Sequence, residues 1–207
     1  IVVGTGDIVD SETISSAWIY LQKIIDRLNV PSYFLPGNHD HTGAQGAYYQ
    51  TYCGLLNYSV VIGKFLFIAL DSGVTGFVDL DQLQWAEQVL QRNPDKVKII
   101  GVHHPVFGRG DGGNITGSWQ DLAKLNDYLY FSWSNNSIEG SELLRLIEDY
   151  DVRLVLSGHI HRDVIYVYNN NHYFMTTVAL GGDFPTGFYH GSRLIEVYAN
   201  GSIKFDA

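Results

Sequence analysis

The stretch Val97-Lys98-Ile99-Ile100-Gly101-Val102-His103-His104-Pro105 decides the fold. Its first six residues, four of them β-branched, read as a buried strand. The strand runs straight into two histidines and a proline. The same layout recurs three times. The strand-like Ile1 to Val3 leads to Gly6-Asp7-Ile8-Val9-Asp10. Ser32 to Leu35 leads to Gly37-Asn38-His39-Asp40, and Val152 to Leu156 leads to Gly158-His159-Ile160-His161. In α/β sheets, sites form outside the carboxyl ends of the strands, so four polar clusters at four such ends are expected to converge.

Working outward, strands alternate with helices. Ile14, Trp18, Leu21, Ile24, Ile25 and Leu28 recur at helical spacing and predict a helix over residues 13–28, with Ser11 as its N-cap. Residues 79–91 and 141–149 read as further amphipathic helices. Ser59 to Ile62 and Phe65 to Leu70 flank Gly63-Lys64 and predict a hairpin. The last quarter turns all-β, with short strands near Val164, Tyr173, Arg193 and Ile203. The fold class is α/β: one domain over residues 1–207, with two packed β-sheets in a sandwich flanked by helices. The segment 106–140 is long for a connection and opens on the Gly-rich Gly108 to Gly113. It reads as an insertion or lid, with a short helix suggested by Trp119, Leu122, Leu125 and Leu129. Its Arg109-Gly110-Asp111 matches an adhesion tripeptide, a string too short to carry information. Because the chain opens inside a strand, it reads as N-terminally truncated.

Composition excludes several classes. No apolar run approaches the roughly 18 residues that span a bilayer. A formal charge of −9 makes nucleic acid an unfavourable partner. The single cysteine, Cys53, excludes an intrachain disulfide and reads as a small buried apolar residue. Sequons begin at Asn57, Asn114, Asn135 and Asn200, although such triplets arise by chance in Asn- and Ser-rich loops. A Tyr- and Asn-rich, Lys-poor composition leans toward an extracellular or cell-surface location, with the cytoplasm as the alternative.

Each polar cluster also has a plain structural reading. Asp7 can cap a loop, Gly-Asn pairs make turns, and a loop histidine is often only solvated. His159 and His161 stand apart, because residues two apart in an extended segment point to the same side. Asp, Asn and imidazole together suit first-row metals such as Zn, Mn and Fe. Of the adjacent pair His103 and His104, periodicity selects neither, since both faces of that strand look apolar.

The ordered set Gly-Asp-x-x-Asp, Gly-Asn-His-Asp, His-His-Pro and Gly-His-x-His resembles the calcineurin-like metallophosphoesterases. The resemblance runs from Asp7 to His161, and the Thr176 to Leu180 strand is similar too. It implies two divalent or trivalent transition metal ions (Mn, Fe or Zn). Asp7 matches the carboxylate bridging them. Asn38, His103 and His159 match the other ligands of one ion, and His161 matches a ligand of the second. The family pattern thus selects His103 over His104. His39 matches a histidine that protonates the leaving oxygen, and Asp10 the carboxylate that pairs with it. The chemistry agrees with these roles. Two cations roughly 3.5–4 Å apart clamp the attacking and leaving oxygens of a phosphoryl transfer. A cation also lowers the pKa of its water, so no protein base is required.

Three departures qualify the match. The family's opening Asp-x-His motif, which supplies two ligands to the His161 ion, is missing, so that site is expected to be incomplete in this chain. No Arg follows Asp10 or precedes Gly37, where protein phosphatases of the family grip a phosphomonoester. Asp10 stands where purple acid phosphatases carry their chromophoric Tyr. The resemblance therefore implies hydrolysis of a small-molecule phosphoester, and slightly favours a diester such as a cyclic nucleotide. The alternatives are a broad-specificity phosphomonoesterase and a catalytically silent scaffold, as in the retromer subunit that shares the fold. Retention of His39 and Asp10 argues against silence. Oligomeric state is left open.

Overall fold

The computed structural model describes residues 1–42, 45–179 and 190–206. Its strands are β1 (Val2–Gly4), β2 (Ser32–Phe34), β3 (Tyr58–Ile62), β4 (Phe65–Leu70), β5 (Val97–Val102), β6 (Gly113–Ile115), β7 (Val152–Ser157), β8 (Val164–Tyr168), β9 (His172–Thr176), β10 (Ile195–Val197) and β11 (Ile203–Phe205). Its helices are α1 (Ser15–Ile25), α2 (Ala47–Tyr52), α3 (Leu80–Gln91), α4 (Phe131–Asn135) and α5 (Ser137–Asp149). No helix among the described residues is long and apolar enough to cross a membrane.

Seven strands form one mixed sheet in the order β3-β4-β5-β7-β9-β8-β6. β4, β5, β7 and β9 run parallel to one another, so their carboxyl ends share one edge. Alternation along these strands sorts the core into two sides. Ile68, Leu70, Ile100, Val102 and Val155 pack toward α3 and α5, with Leu83, Ala86, Leu90, Leu143, Leu144 and Ile147. Phe67 and Ala69 pack with Val3, Tyr33 and Leu35 around β1 and β2. Leu154, Leu156 and Met175 pack against Ile195, Val197, Ile203 and Phe205 of β10 and β11. Outside β1 and β2, Trp18 of α1 and Tyr49 of α2 form a further cluster with Ile8, Val9 and Phe34. The layers are thus helix, strand, strand, helix. Among the described residues the second strand layer is two separate pairs, parallel β1–β2 and antiparallel β10–β11.

Most elements follow from local chemistry. The Asp79 side chain caps α3 by accepting from the Gln82 N–H at 2.8 Å. Gly63, with φ at +59°, closes the β3–β4 hairpin. Helix α1 is shorter than the periodicity predicts, and Ile14 rather than Ser11 holds its N-cap position with no side-chain acceptor. The Ser11 hydroxyl instead meets those of Thr13 and Thr42. Within 106–140, β6 pairs with β8 at the sheet edge, and Ile115, Leu125, Leu129 and Trp133 enter the main core. A 3₁₀ turn at Leu122–Leu125 replaces the predicted short helix. β9 ends at Thr176, and Leu180 of the expected strand lies outside the described residues.

Candidate metal centre

Both strand layers deliver polar side chains to one edge. β1 and β2 end before Gly6-Asp7 and Gly37-Asn38, while β5 and β7 end before His103-His104 and Gly158-His159. Glycine is required where these segments touch. A Cβ on Gly6 would fall 2.2 Å from His103 Nδ1, and one on Gly37 would fall 2.2 Å from the Asp7 backbone N. Asp7, His159 and His161 adopt the left-handed region at φ of 51°, 68° and 50°. Such conformations are unfavourable away from glycine and cluster at functional sites.

Four of the predicted ligands meet. His103 Nε2 lies 3.1 Å from Asp7 Oδ2 and 3.3 Å from Asn38 Oδ1. His159 Nδ1 lies 3.0 Å from the same Asn38 oxygen. The tautomer of His103 follows from its other contact. Its Nδ1 is 2.7 Å from the Thr5 carbonyl, which only accepts, so Nδ1 carries the hydrogen. In the neutral ring, Nε2 then presents a lone pair to two further lone-pair oxygens. That convergence repels unless a proton or a cation sits among them. Metal bonds of about 2.0–2.2 Å place neighbouring donors about 2.8–3.6 Å apart in octahedral or tetrahedral geometry. The observed 3.0–3.3 Å separations fall inside that window. The donor set fits a divalent ion.

Electrostatics agrees. Burial raises the Asp7 pKa, but the hydrogen bond and charge of His103 and the His39 N–H outweigh it, so the carboxylate lies below its ordinary value. That N–H donates to Asp7 Oδ1 at 2.9 Å. Burial, and then the charge of His103, pulls His159 down to about 4. Burial, then His159 and His103, pulls His104 down to about 3. Both rings are therefore neutral at pH 7, the state that ligates.

His104 belongs to the histidine cluster, whose ligating nitrogens, with those of His103 and His159, lie within 4.8 Å of one another. Its Nδ1 is 2.8 Å from the Ser72 hydroxyl. His161 is not part of that cluster. It is exposed, and its charge bears on the His159 ring. His39 Nδ1 donates to the backbone carbonyl of Asp10 at 2.6 Å, while the Asp10 carboxylate stands 3.9 Å away and is 93% exposed. The carbonyl raises the His39 pKa; burial opposes it, and Asp7 and Asp10 add to it. The expected pairing thus runs mainly through the main chain of Asp10.

Three residues that organise the site were not among the expected ligands or their partners. Asp40 is fully buried and accepts from the N–H groups of Ile8, Val9 and Gly37, at 2.8 Å for Gly37. It pins the Asp7 loop to the Gly37 turn. Ser72 accepts from the His104 N–H as well as meeting its ring. Tyr130 places its hydroxyl 3.0 Å from His159 Nε2. An acid inside a Gly-Asn-His-Asp turn was a signal for Asp40; nothing local marks Ser72 or Tyr130.

Comparison with known proteins agrees with this geometry. The family model for calcineurin-like phosphoesterases matches residues 1–163. A 3′,5′-cyclic-nucleotide phosphodiesterase of Nostoc sp. is 29% identical over 96% of this chain and 72% of its own length. A probable glycerophosphodiester phosphodiesterase of Arcobacter nitrofigilis is 28% identical over 78% of this chain and 56% of its own. Among solved structures, a purple acid phosphatase from yellow lupin seeds superposes with a TM-score of 0.55 at 20% identity. That match covers 77% of this chain and 30% of the lupin chain and concerns the fold alone.

Proposed function

The chain belongs to the calcineurin-like phosphoesterase family, and from that premise we propose that it hydrolyses a small phosphodiester, with a cyclic nucleotide as the favoured substrate. The observation that carries this reading is the convergence of Asp7, Asn38, His103 and His159 donors at 3.0–3.3 Å, with His39 alongside. The two relatives named for diester hydrolysis support the diester class.

In this reading Asp7, Asn38, His103 and His159 hold one ion, of Mn, Fe or Zn type. Asp7 and His161 would contribute ligands to a second. A divalent ion there supplies Lewis acidity toward the phosphoryl group and a nucleophile at neutral pH. The chain does the rest. Thr5 orients His103 through its carbonyl. Asp10 holds His39 at Nδ1, which leaves Nε2 to face a substrate, and the raised pKa favours the protonated ring that would give its proton to the departing oxygen. Residues 106–140 border the reaction space through Tyr130, with Phe131 exposed beneath the Arg109 guanidinium at 4.1 Å. That border is our candidate for substrate choice.

His39→Ala tests the assignment. Turnover of a cyclic nucleotide, whose leaving alkoxide needs a proton, should fall by about 10²–10⁴. Loss on bis(p-nitrophenyl) phosphate should be far smaller, with metal content unchanged. Equal losses on both substrates, or loss of metal, would remove His39 from this role. Wild-type activity on monoesters alone would replace the diester reading.

A further inference from the structure

Tyr130 is held at the site by its backbone and by its neighbours. It opens α4, and its backbone N–H donates to the Val106 carbonyl at 2.9 Å. Its carbonyl accepts from the Trp133 and Ser134 N–H groups, each at 3.0 Å. Trp133, fully buried, donates its indole N–H to the His104 carbonyl at 3.2 Å and so ties α4 to the His103-His104 stretch. The Tyr130 ring lies so close to Gly108 that a Cβ there would stand 3.1 Å from Cδ2. From this mount the hydroxyl reaches His159 Nε2 at 3.0 Å, with the two rings edge-on at 5.5 Å.

Two tautomers of His159 satisfy that contact. If Tyr130 donates, Nε2 holds the lone pair, Nδ1 holds the hydrogen, and Nδ1 can only donate to Asn38 Oδ1. If Tyr130 accepts, Nε2 holds the hydrogen and Nδ1 turns a lone pair toward Asn38, Asp7 and His103. His103 has already settled the same choice, because the Thr5 carbonyl holds its hydrogen on the side away from the cluster. We propose that Tyr130 is a positioning residue. Its hydroxyl accepts the His159 Nε2–H and fixes the tautomer whose Nδ1 serves the metal. The two histidines are then backed alike, one by a carbonyl and one by a phenol, as outer partners of metal-ligating histidines generally are. This inference rests on the metal reading above, and it gives a segment distant in sequence a defined part in the centre.

Tyr130→Phe removes the hydroxyl and keeps the ring against Gly108. The test titrates metal-stripped protein with Zn²⁺ and with Mn²⁺. Affinity should fall about 10–100-fold in the variant, while the metal-free melting temperature stays at the wild-type value. Tyr128→Phe, a neighbour in the same segment, should bind as wild type does. Two-bond ¹H–¹⁵N spectra of the zinc-loaded wild type should show His159 protonated at Nε2 and bound through Nδ1. A Tyr130→Phe protein that binds both metals as tightly as wild type overturns the proposal, as does a wild-type His159 protonated at Nδ1. These readouts separate the two ideas. Weakened metal binding in an enzyme inactive on every diester leaves Tyr130 in place and sinks the diester reading. Diesterase activity with unaltered metal affinity in the variant does the reverse. A wild type that binds neither metal removes both.

Discussion

Removing the Asp40 carboxylate tests how the metal-facing loops are held. Asp40 is fully buried, and three main-chain N–H groups from two separate loops point at its oxygens. Asp40→Ala strands all three. At about 1–3 kcal/mol for each buried unsatisfied donor, and with water free to enter the vacated space, the gross cost is about 3–6 kcal/mol. Against it stands the carboxylate's own ionisation penalty. Burial pushes its pKa up to about 6 from 3.8, and the three N–H donors limit the rise. The sign follows from linkage. Between those values the folded state binds the proton more tightly than the unfolded chain does, so stability falls as pH rises through that window and is flat above it. With both values, Asp40 makes wild type roughly 1 kcal/mol less stable at pH 8 than at pH 5. The variant lacks that slope. Urea unfolding of metal-free wild type and Asp40→Ala should therefore give a destabilisation roughly 1 kcal/mol larger at pH 5 than at pH 8. A destabilisation that grows with pH would mean that the N–H donors, not burial, set this pKa. A destabilisation near zero at both pH values would show that the loops hold together without Asp40.

Two further substitutions probe the same architecture. Gly6→Ala places a Cβ 2.2 Å from His103 Nδ1 at a residue with φ of +97°, so it should break the Thr5–His103 contact and abolish tight metal binding while far-UV circular dichroism stays native; retained metal would refute the close packing. Asp10→Asn should leave the His39 titration midpoint above 6.5 in the metal-free protein, because the Asp10 carbonyl is its main cause, and should reduce turnover much less than His39→Ala does. The raised His39 value also implies a stability contribution present below pH 6.5 and fading as pH rises through that midpoint; an NMR midpoint at the ordinary histidine value in Asp10→Asn would return the role to the carboxylate.

The elements that were legible in the sequence are those whose chemistry is local. β5 has its expected bounds, because a β-branched run stops at a histidine pair and a proline. Helix α3 was legible from its apolar spacing, and its cap is the Asp79 that the sequence supplies at residue 79. The C-terminal strand expected near Arg193 begins instead at Ile195, and β10 takes its place by packing against Leu154, Leu156 and Met175 rather than by any signal of its own. Site residues divide the same way. Asp7, Asn38, His103 and His159 announce themselves through ordered motifs. Asp40 meets partners 31 and 32 residues away, Ser72 meets His104 across 32, and Tyr130 meets His159 across 29. No periodicity reaches that far, so such partners become visible only once the strands are laid side by side.

The two adjacent histidines show how strand register assigns chemistry. Along β5, Ile100 and Val102 pack toward the helices and Ile99 packs toward β1 and β2. Gly101 shares the second side, where a Cβ would meet Leu35 at 2.8 Å and Phe67 at 3.0 Å. Continuing that alternation by two residues carries His103 to the side of β1 and β2, whose ends bring Thr5, Asp7 and Asn38. His104 inherits the other side, where it meets Ser72 beyond β4 and the Trp133 indole. Both faces of β5 are apolar because sheets of this kind are covered on both sides, so hydrophobicity is silent on which histidine faces the second layer. The answer depends on which layer carries the carboxylate. A one-residue slip of β5 would exchange the two rings, and the Gly101 contact with Leu35 and Phe67 opposes that slip, since Val102 or Ile100 has no room there. The register that seals the core is thus the register that aims His103 at Asp7.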